Sequence, residues 1–257
     1  MQLQLDNKVA IVTGASRGIG RAIVTTLAQE GAQVVAVARS AEALDELVAA
    51  LPVPGLAVVA DLREPKSAQA VVDAALQAFN RLDVLVNNAG ATVRGDFLAL
   101  DDAAWHDGFA LKFFAAMRLS RAAWPALRDS QGSIVNVIGI GGRTGSAEFT
   151  VGGAVNAALL NLTKALADRG VQDGVRVNAV NPSSIATERL QGRVLTLARE
   201  RGVDAAQAAS EIAASLRVAR FGTAEEVAAA VVFLASPLAA YCQGAVLDVD
   251  GGQTRTL

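Results

Sequence analysis

The sequence predicts an α/β protein with one doubly wound parallel sheet of about seven strands and helices on both faces. Two observations indicate this fold class. Short apolar runs alternate with longer helical patterns along the whole chain, which is the order that builds parallel crossover connections. The 257 residues are 52% hydrophobic but only 4% aromatic, and cores of small and branched aliphatic residues are typical of buried parallel sheets.

The strands are short apolar runs that end at glycine, proline or polar residues. We predict them at residues 9–12, 34–37, 57–60, 84–86, 133–138, 175–180 and 245–249. The helices carry apolar residues at helical spacing. We predict them at residues 21–28, 41–51, 65–79, 102–127, 154–169 and 224–235, with two more between 187 and 216. Without repeats or linkers, residues 1–257 form one predicted domain, in which the glycine-containing segment of about 187–216 is mobile and covers the substrate.

Composition and charge exclude several classes of partner and site. The formal net charge is −2 and basic residues do not cluster, so we expect no nucleic acid partner. The chain has one histidine and one cysteine, Cys242, and we therefore predict no metal site and no intrachain disulfide, as suits a reducing compartment. The amino terminus lacks a signal peptide pattern and no apolar run is long enough to span a bilayer, so we expect a cytoplasmic protein without a membrane partner.

A glycine-rich turn follows the first predicted strand. It reads Thr13-Gly14-Ala15-Ser16-Arg17-Gly18-Ile19-Gly20, and a helical pattern begins directly after it. A strand that breaks into glycines and continues as a helix presents bare backbone N–H groups at a helix N-terminus. The turn is therefore a candidate site for a diphosphate.

The G-x-x-x-G-x-G spacing of this turn resembles the glycine motif of the short-chain dehydrogenase/reductase family. Other stretches are similar to that family in the matching order, from about Asn7 to Gly252: Asp61-Leu62, Asn87-Asn88-Ala89-Gly90, Asn181-Pro182-Ser183-Ser184-Ile185-Ala186-Thr187, Arg220–Val227 and Leu247–Gly252. The resemblance implies a Rossmann-type fold that binds a nicotinamide dinucleotide. The cofactor-binding residues that it implies, together with two arginines considered next, are Gly14, Ser16, Arg17, Gly18, Ile19, Gly20, Arg39, Asp61, Leu62, Asn88, Ala89, Gly90, Asn156, Pro182 and Thr187.

The end of the second strand favours NADP(H) over NAD(H). Enzymes that prefer NAD usually carry an acid there, which accepts hydrogen bonds from the ribose hydroxyls. This chain has Ala38 at that position, followed by Arg39. A guanidinium attracts a 2′-phosphate, and Arg17 in the glycine turn could reach the same group.

The four residues with which the family usually works, Asn, Ser, Tyr and Lys, are missing from the matching positions. Lys112 stands at the asparagine position and Gly139 at the serine position, while Gly152 and Asn156 stand at the tyrosine and lysine positions. The only tyrosine, Tyr241, and the only histidine, His106, lie elsewhere in the sequence. The glycines predict a cavity that water, a rearranged Phe149 or a bulky ligand would fill.

Lys112 is the first candidate for a replacement proton donor. It shares a helical stripe with Trp105, Phe109, Phe113 and Ala116, so it is expected to point inward. One interpretation is that its amine reaches the cavity near Asn156 and acts as an acid. The other is that it reaches solvent, or braces Asn136 or a backbone carbonyl. We name Lys112, Glu148 and Asn156 as the candidate catalytic residues.

Three functions follow as hypotheses. The preferred one is an NADP(H)-dependent oxidoreductase that acts on a carbonyl, alcohol or imine with a non-standard proton donor. The alternatives are an NADP(H)-binding protein without turnover, acting as a sensor or partner subunit, and a lyase or isomerase on the same scaffold. Apolar residues all round the two long helices, together with the resemblance, imply a homodimer or homotetramer.

Overall fold

The computed structural model describes residues 2–255, without the side chain of Arg189, and confirms the predicted fold class. Its strands are β1 (Val9–Thr13), β2 (Gln33–Ala38), β3 (Gly55–Val59), β4 (Val84–Asn87), β5 (Ser133–Val137), β6 (Arg176–Pro182) and β7 (Val246–Val249). They form one parallel sheet in the order β3-β2-β1-β4-β5-β6-β7. The strand order reverses between β1 and β4, and ligands of such sheets bind beyond the carboxyl ends of the strands at that reversal.

Helices cover both faces of this sheet. They are α1 (Gly18–Gln29), α2 (Ala41–Ala49), α3 (Ser67–Phe79), α4 (Asp102–Gly108), α5 (Ala115–Ser130), α6 (Thr150–Asp173), α7 (Glu188–Arg201), α8 (Ala205–Leu216) and α9 (Ala224–Ala235). Successive strand residues point to opposite faces. Val12 of β1 therefore joins a core beneath α1 and α9, whereas its neighbour Ile11 joins a second core beneath α3 and α5.

Two helix predictions need correction, and a third is confirmed. Residues 102–127 do not form one regular helix, because a π-helical segment, Phe109–Phe114, separates α4 from α5. Helix α6 begins at Thr150, earlier than predicted, so Gly152 lies inside its first turn. The two helices predicted between residues 187 and 216 are present as α7 and α8, and they are separated at Gly202. Its φ of +66° ends α7 in the left-handed conformation, while Gly192 remains helical because its φ lies outside that region.

The structure also bears on membranes and metals. No helix within residues 2–255 is long and apolar enough to cross a bilayer. In the same range, no three His, Cys, Asp or Glu side chains lie close enough together to hold a metal ion. Cys242 is a free, half-buried thiol.

A buried carboxylate joins the amino ends of the central strands. Asp83 is 3% exposed and accepts hydrogen bonds from the backbone N–H of Val9 at 2.9 Å and from Nε of Arg81 at 2.8 Å. Lys8 adds an ion pair at 3.3 Å. Burial alone would raise the pKa of Asp83, but the hydrogen bonds and neighbouring positive charges together hold that pKa below the ordinary carboxyl value.

We therefore expect Asp83→Asn to lower the free energy of unfolding at neutral pH by about 1.5–3 kcal/mol, the range for hydrogen bonds to a charged group. A carboxyl whose pKa is lower in the folded chain stabilises the fold above its unfolded pKa, and that contribution is lost as pH falls through the folded pKa. Urea unfolding at neutral and acidic pH should thus show less acid sensitivity in the variant. Asp129→Asn, which changes an exposed ion pair, is the control and should shift stability by less than about 0.5 kcal/mol.

Candidate active site

The glycine turn lies between β1 and α1, at the reversal of strand order. Gly14 and Gly18 have φ values of +66° and +55°, in the left-handed region that glycine adopts without steric cost. Arg17 is the N-cap residue of α1 in an extended conformation, and no described side chain caps the first turn. The N–H groups of that turn are therefore suited to binding an anion.

Asn88 fastens the carboxyl end of β4 to the glycine turn. Its side-chain amide donates to the carbonyl oxygens of Thr13 at 2.9 Å and Gly14 at 3.3 Å. In return, the Thr13 hydroxyl accepts from the backbone N–H groups of Asn88 and Ala89, each at 2.9 Å. This segment thus has the bracing role that its resemblance to the family's N-N-A-G motif implies.

Beyond β2 and β3 lies a cluster of charged side chains. Asp61 accepts a hydrogen bond from the backbone N–H of Arg63 at 3.0 Å, and Arg63 Nη2 donates to Oδ2 of Asp107 on α4 at 3.2 Å. The Arg63 hydrogen bond lowers the pKa of Asp107, and the nearby charge of Arg39 adds to this effect. Sequence reasoning missed Arg63 and Asp107, because they lie 44 residues apart and belong to no recognised motif.

The carboxyl end of β6 completes the cleft. Pro182 closes β6 opposite Val249 of β7, and Thr187 is the N-cap residue of α7. A Cβ atom added to Gly18 would lie 3.3 Å from Cγ2 of Thr187, so the start of α7 contacts the glycine turn. An exposed ion pair of 3.2 Å between Arg17 and Glu188 joins the same two elements.

The remaining residues implied for cofactor binding follow the same strand ends. They are Ser16 and Ile19 after β1, Leu62 after β3 and Gly90 after β4. The structure thus brings the implied residues together at one edge of the sheet. Tyr241 precedes the amino end of β7 and is fully exposed, so it lies at the opposite edge.

Lys112 lies within the π-helical segment, a type of helix irregularity that is frequent at functional sites. Its aliphatic chain covers Gly90, since a Cβ atom added there would lie 2.9 Å from Cδ of Lys112. Its amine donates to the carbonyl oxygen of Ile138. The predicted brace on a backbone carbonyl therefore exists, and it holds the amine next to Gly139.

Gly139 and Asn156 form the adjoining wall. Gly139 has a φ of +126°, and a Cβ atom added to it would lie 3.2 Å from Nδ2 of Asn156. Asn156 is 3% exposed. Its Oδ1 is buried and accepts no hydrogen bond from any described residue, so the position of the family's lysine holds an unsatisfied acceptor.

The ring of Phe149 lies where a tyrosine side chain would begin. A Cβ atom added to Gly152 would lie 2.0 Å from Cζ of Phe149, and one added to Gly141 would lie 2.8 Å from Cε1. These separations are shorter than any carbon–carbon contact, so both positions need glycine while the ring stays there. The sequence predicted that water, a rearranged Phe149 or a ligand would occupy the space beside these glycines. In the structure the ring of Phe149 occupies it.

Arg94 covers the outer face of this ring, with Cζ 4.5 Å from the ring centroid. Partial burial and the charge of Arg193 lower the pKa of Arg94, while Glu148 acts in the opposite direction. Glu148 is exposed and lies beside Arg94 at the rim. Sequence reasoning missed Arg94 and Arg193, although an arginine close behind the N-N-A-G motif and an arginine-rich segment at 187–216 were visible signals.

The glycine turn at the reversal of a parallel sheet defines a Rossmann-type dinucleotide-binding protein. A family model described as Enoyl-(Acyl carrier protein) reductase matches residues 14–254. The 3-oxoacyl-[acyl-carrier-protein] reductase FabG of Escherichia coli is 35% identical over 254 residues, which is 97% of this chain and 98% of that protein. The chain belongs to the short-chain dehydrogenase/reductase family of NAD(P)-dependent oxidoreductases.

Two solved structures are similar over nearly all of their length. L-sorbose reductase from Gluconobacter frateurii, complexed with NADPH and L-sorbose, has a TM-score of 0.96 and 33% identity, with 100% of both chains covered. A short-chain oxidoreductase from Pseudomonas aeruginosa PAO1, described as containing an atypical catalytic center, has a TM-score of 0.92 and 32% identity. That match covers 98% of this chain and 99% of the other.

The residues of the cleft fit a nicotinamide dinucleotide. Gly20 leaves no room for a side chain, because an added Cβ atom would lie 2.1 Å from the carbonyl oxygen of Gly14. The close backbone approach at this turn is what a diphosphate requires. At the other end, the unsatisfied Oδ1 of Asn156 could accept a hydrogen bond from a ribose hydroxyl.

Proposed function

We propose that this protein is an NADP(H)-dependent reductase of a carbonyl or imine substrate that uses Lys112 as its proton donor. The observation that carries the proposal is the hydrogen bond from the Lys112 amine to the carbonyl oxygen of Ile138. It supports a position for the amine beside Gly139, at the edge of the space that the family's serine and tyrosine would occupy. Turnover of NADPH with a panel of carbonyl compounds is the test.

NADPH, held at the glycine turn and by Asn156, would supply the hydride for reduction of the substrate carbon. The ammonium of Lys112 gives one proton to the carbonyl oxygen, so that C=O becomes CH–OH, and the neutral amine regains a proton from water. Asn156 orients the ribose through Oδ1. Lys112 thereby performs the proton transfer for which the family usually uses tyrosine.

Preference for NADP(H) rests on Arg39, with Arg17 as a second contact. Arg39 is exposed after β2, and Ala38 leaves no acid to repel a 2′-phosphate. The NADPH complex of L-sorbose reductase, whose fold is the same, supports this choice. Arg17 can serve once its exposed pair with Glu188 exchanges for the phosphate, because exposed ion pairs contribute little stability.

Arg39→Asp should weaken NADPH binding by about tenfold or more, because a charge-assisted hydrogen bond is lost and an acid faces the phosphate. NADH binding should change much less. Fluorescence titration of both cofactors gives the ratio, with Arg199→Asp on the exposed face of α7 as a matched control. Equal weakening of NADPH and NADH would remove the case for NADP(H).

The ring of Phe149 favours a second candidate, an NADP(H)-binding protein without turnover. The ring covers Gly152, and Gly139 and Gly141 offer no side chain to a substrate. Such a protein would bind NADPH tightly and reduce no member of a broad panel. The P. aeruginosa relative described as having an atypical catalytic center supports the reductase, because it is a short-chain oxidoreductase nonetheless.

Segment 187–216 is proposed to cover the substrate and to move when the substrate enters. Helices α7 and α8 pack on each other through their own apolar cluster, which includes Val194 and Ile212. An isolated bridge between Ile185 and Gly222 closes the base of the segment. A unit with its own small core can shift as one body.

A homodimer or homotetramer through α5 and α6 is proposed as the assembly. Between these helices runs a groove with an apolar floor and a rim of arginines. The floor consists of Met117, Trp124, Pro125, Leu162 and Leu166. Apolar surface rimmed by charge is typical of an interface between subunits.

A further inference from the structure

The loop that follows β3 is fastened to two helices through Arg63. The guanidinium makes a bidentate pair with Asp107 of α4, in which Nε donates to Oδ1 and Nη2 donates to Oδ2 at 3.2 Å. The backbone carbonyl oxygen of Arg63 accepts from Nη1 of Arg118 on α5 at 3.4 Å. The side chain of Arg63 is only 24% exposed. A bidentate pair of this kind fixes geometry as well as charge.

These two contacts lie on either side of the π-helical segment Phe109–Phe114. Asp107 precedes the segment, and Arg118 follows it by about one helical turn. Arg118 also covers the last residue of the segment, with Cζ 5.4 Å from the ring centroid of Phe114. Lys112 lies inside the segment. A residue that holds both flanks therefore also fixes the backbone from which the Lys112 amine extends.

Arg63 also orients the carboxylate of Asp61. Oδ1 of Asp61 accepts from the backbone N–H of Arg63 at 3.0 Å and from its Nη1 at 3.4 Å. Among the described residues, none donates a hydrogen bond to Oδ2 of Asp61. The Asp61 side chain is 39% exposed. Arg63 thus holds one oxygen of this carboxylate and leaves the other open to a donor on a ligand.

The place of Asp61 in the fold indicates which donor that is. The glycine turn after β1 is the candidate diphosphate site, and Arg39 after β2 is the candidate contact for the 2′-phosphate. At the next strand the N–H of Ala60 donates to the carbonyl oxygen of Ala38 at 2.9 Å, so Asp61 lies directly beside the end of β2. The adenosine that carries the 2′-phosphate therefore reaches Asp61. Adenine has an amino group that donates, and a carboxylate oxygen accepts.

We propose that Arg63 is a positioning residue that links the two ends of the cofactor site. It turns Asp61 to accept a hydrogen bond from the amino group of adenine, and it fixes the π-helical segment that carries Lys112. This inference rests on the proposed function, because NADPH is the ligand and Lys112 is the proton donor. A contact at adenine, remote from the hydride, then contributes to the placement of the amine.

The first test compares the binding of NADPH with that of its hypoxanthine analogue, in which a carbonyl oxygen replaces the amino group of adenine. The wild type should bind NADPH at least about tenfold more tightly, because the analogue places an acceptor against Oδ2 of Asp61. Arg63→Gln should leave a preference of about threefold or less. Arg63→Lys should lose the preference as well, because lysine keeps the charge but not the planar fork. Fluorescence titration measures all of these affinities.

The second test measures hydrogen exchange of the amides in residues 109–114, with the protein saturated by either dinucleotide. In the wild type, NADPH should slow this exchange at least about threefold more than the analogue does. In Arg63→Gln the two dinucleotides should protect the segment alike. The control is Arg220→Gln, which removes a bidentate pair with Glu226, at 2.9 and 2.6 Å, away from the cleft. It should leave both results within about twofold of the wild type.

The proposal is overturned if the wild type binds both dinucleotides alike or binds neither, or if Arg63→Gln keeps the full preference for NADPH. Equal protection of residues 109–114 by both dinucleotides in the wild type also overturns it, as do equal effects of Arg220→Gln and Arg63→Gln. Circular dichroism verifies that each variant is folded. Failure of the proposed function is recognised separately, because it concerns hydride transfer. A protein that prefers NADPH through Arg63 but never oxidises it would retain the positioning residue and lose the reductase.

Discussion

Replacing Lys112 with methionine is expected to lower kcat for carbonyl reduction by about 10²–10⁴-fold, the usual contribution of a positioned acid. Methionine keeps most of the aliphatic chain that covers Gly90 and removes the amine that contacts Ile138. The affinity for NADPH should stay within about twofold, because none of the residues at the glycine turn is changed. Steady-state kinetics with a substrate found in the panel, together with cofactor titration, measure both quantities.

A second variant separates proton donation from bracing. Lys112→Arg retains a positive charge and an N–H donor for the Ile138 carbonyl, but a guanidinium does not release its proton near neutral pH. If the lysine is the acid, Lys112→Arg stays as inactive as Lys112→Met. Activity restored by arginine would show that Lys112 is only a brace.

The chain provides a matched control for this lysine. Lys164 on α6 also donates its amine to a backbone carbonyl, that of Gly244, at the amino end of β7 and away from the cleft. Lys164→Met should therefore leave kcat unchanged. If Lys112→Met and Lys164→Met lowered kcat equally, both lysines would act by stabilising the fold, and Lys112 would not be the proton donor.

The fold could be predicted from local patterns. Apolar runs such as Val9–Val12 are buried on both sides in a parallel sheet, so they appear in the sequence as continuous hydrophobic strands. Helix α9 has the bounds predicted from the sequence, 224–235, and in the structure a capping box formed by Thr223 and Glu226 marks its start. The long helix at 102–127 was predicted without its π-helical segment, since the stripe of apolar residues continues through it with nearly helical spacing.

The proximity of the candidate cofactor-binding segments could also be predicted from the sequence, because most of them directly follow a strand. Carboxyl ends of parallel strands meet at one edge of the sheet, so order along the chain determines proximity in space. Arg94 and Phe149, or Arg63 and Asp107, meet only through packing between distant segments. No periodicity or motif records such contacts, and the structure alone reveals them.

The absence of side chains at Gly139, Gly141 and Gly152 has a packing reason as well as a chemical one. The ring of Phe149 contacts the space that any side chain at Gly141 or Gly152 would need. Restoring tyrosine at Gly152 would therefore require Phe149 to leave, and Arg94 would lose the ring on which it stacks. Gly141, Gly152, Phe149 and Arg94 thus form one coupled packing arrangement.

Gly20→Ala is expected to weaken NADPH binding by at least about tenfold and to lower the free energy of unfolding by about 1–3 kcal/mol, as overpacking in a dense region does. The added Cβ atom would lie 2.1 Å from the carbonyl oxygen of Gly14 and 2.6 Å from Nδ2 of Asn88. Because the first of these atoms belongs to the backbone, the glycine turn itself must shift. Thermal unfolding and fluorescence titration with NADPH measure the two effects.

Gly192→Ala is the control that isolates this steric effect. Gly192 also lies in a helix, α7, but no atom of the described residues lies within 4 Å of the position of its added Cβ atom. Alanine there should raise the free energy of unfolding by about 0.5–1 kcal/mol, because it loses less backbone entropy than glycine on folding. If both variants bound NADPH as the wild type does, the glycine turn would not be the diphosphate site, since a displaced turn cannot keep its N–H groups in place. If Gly20→Ala bound NADPH weakly while Gly192→Ala bound it normally, the weakening would follow from the close approach of Gly14 to Gly20.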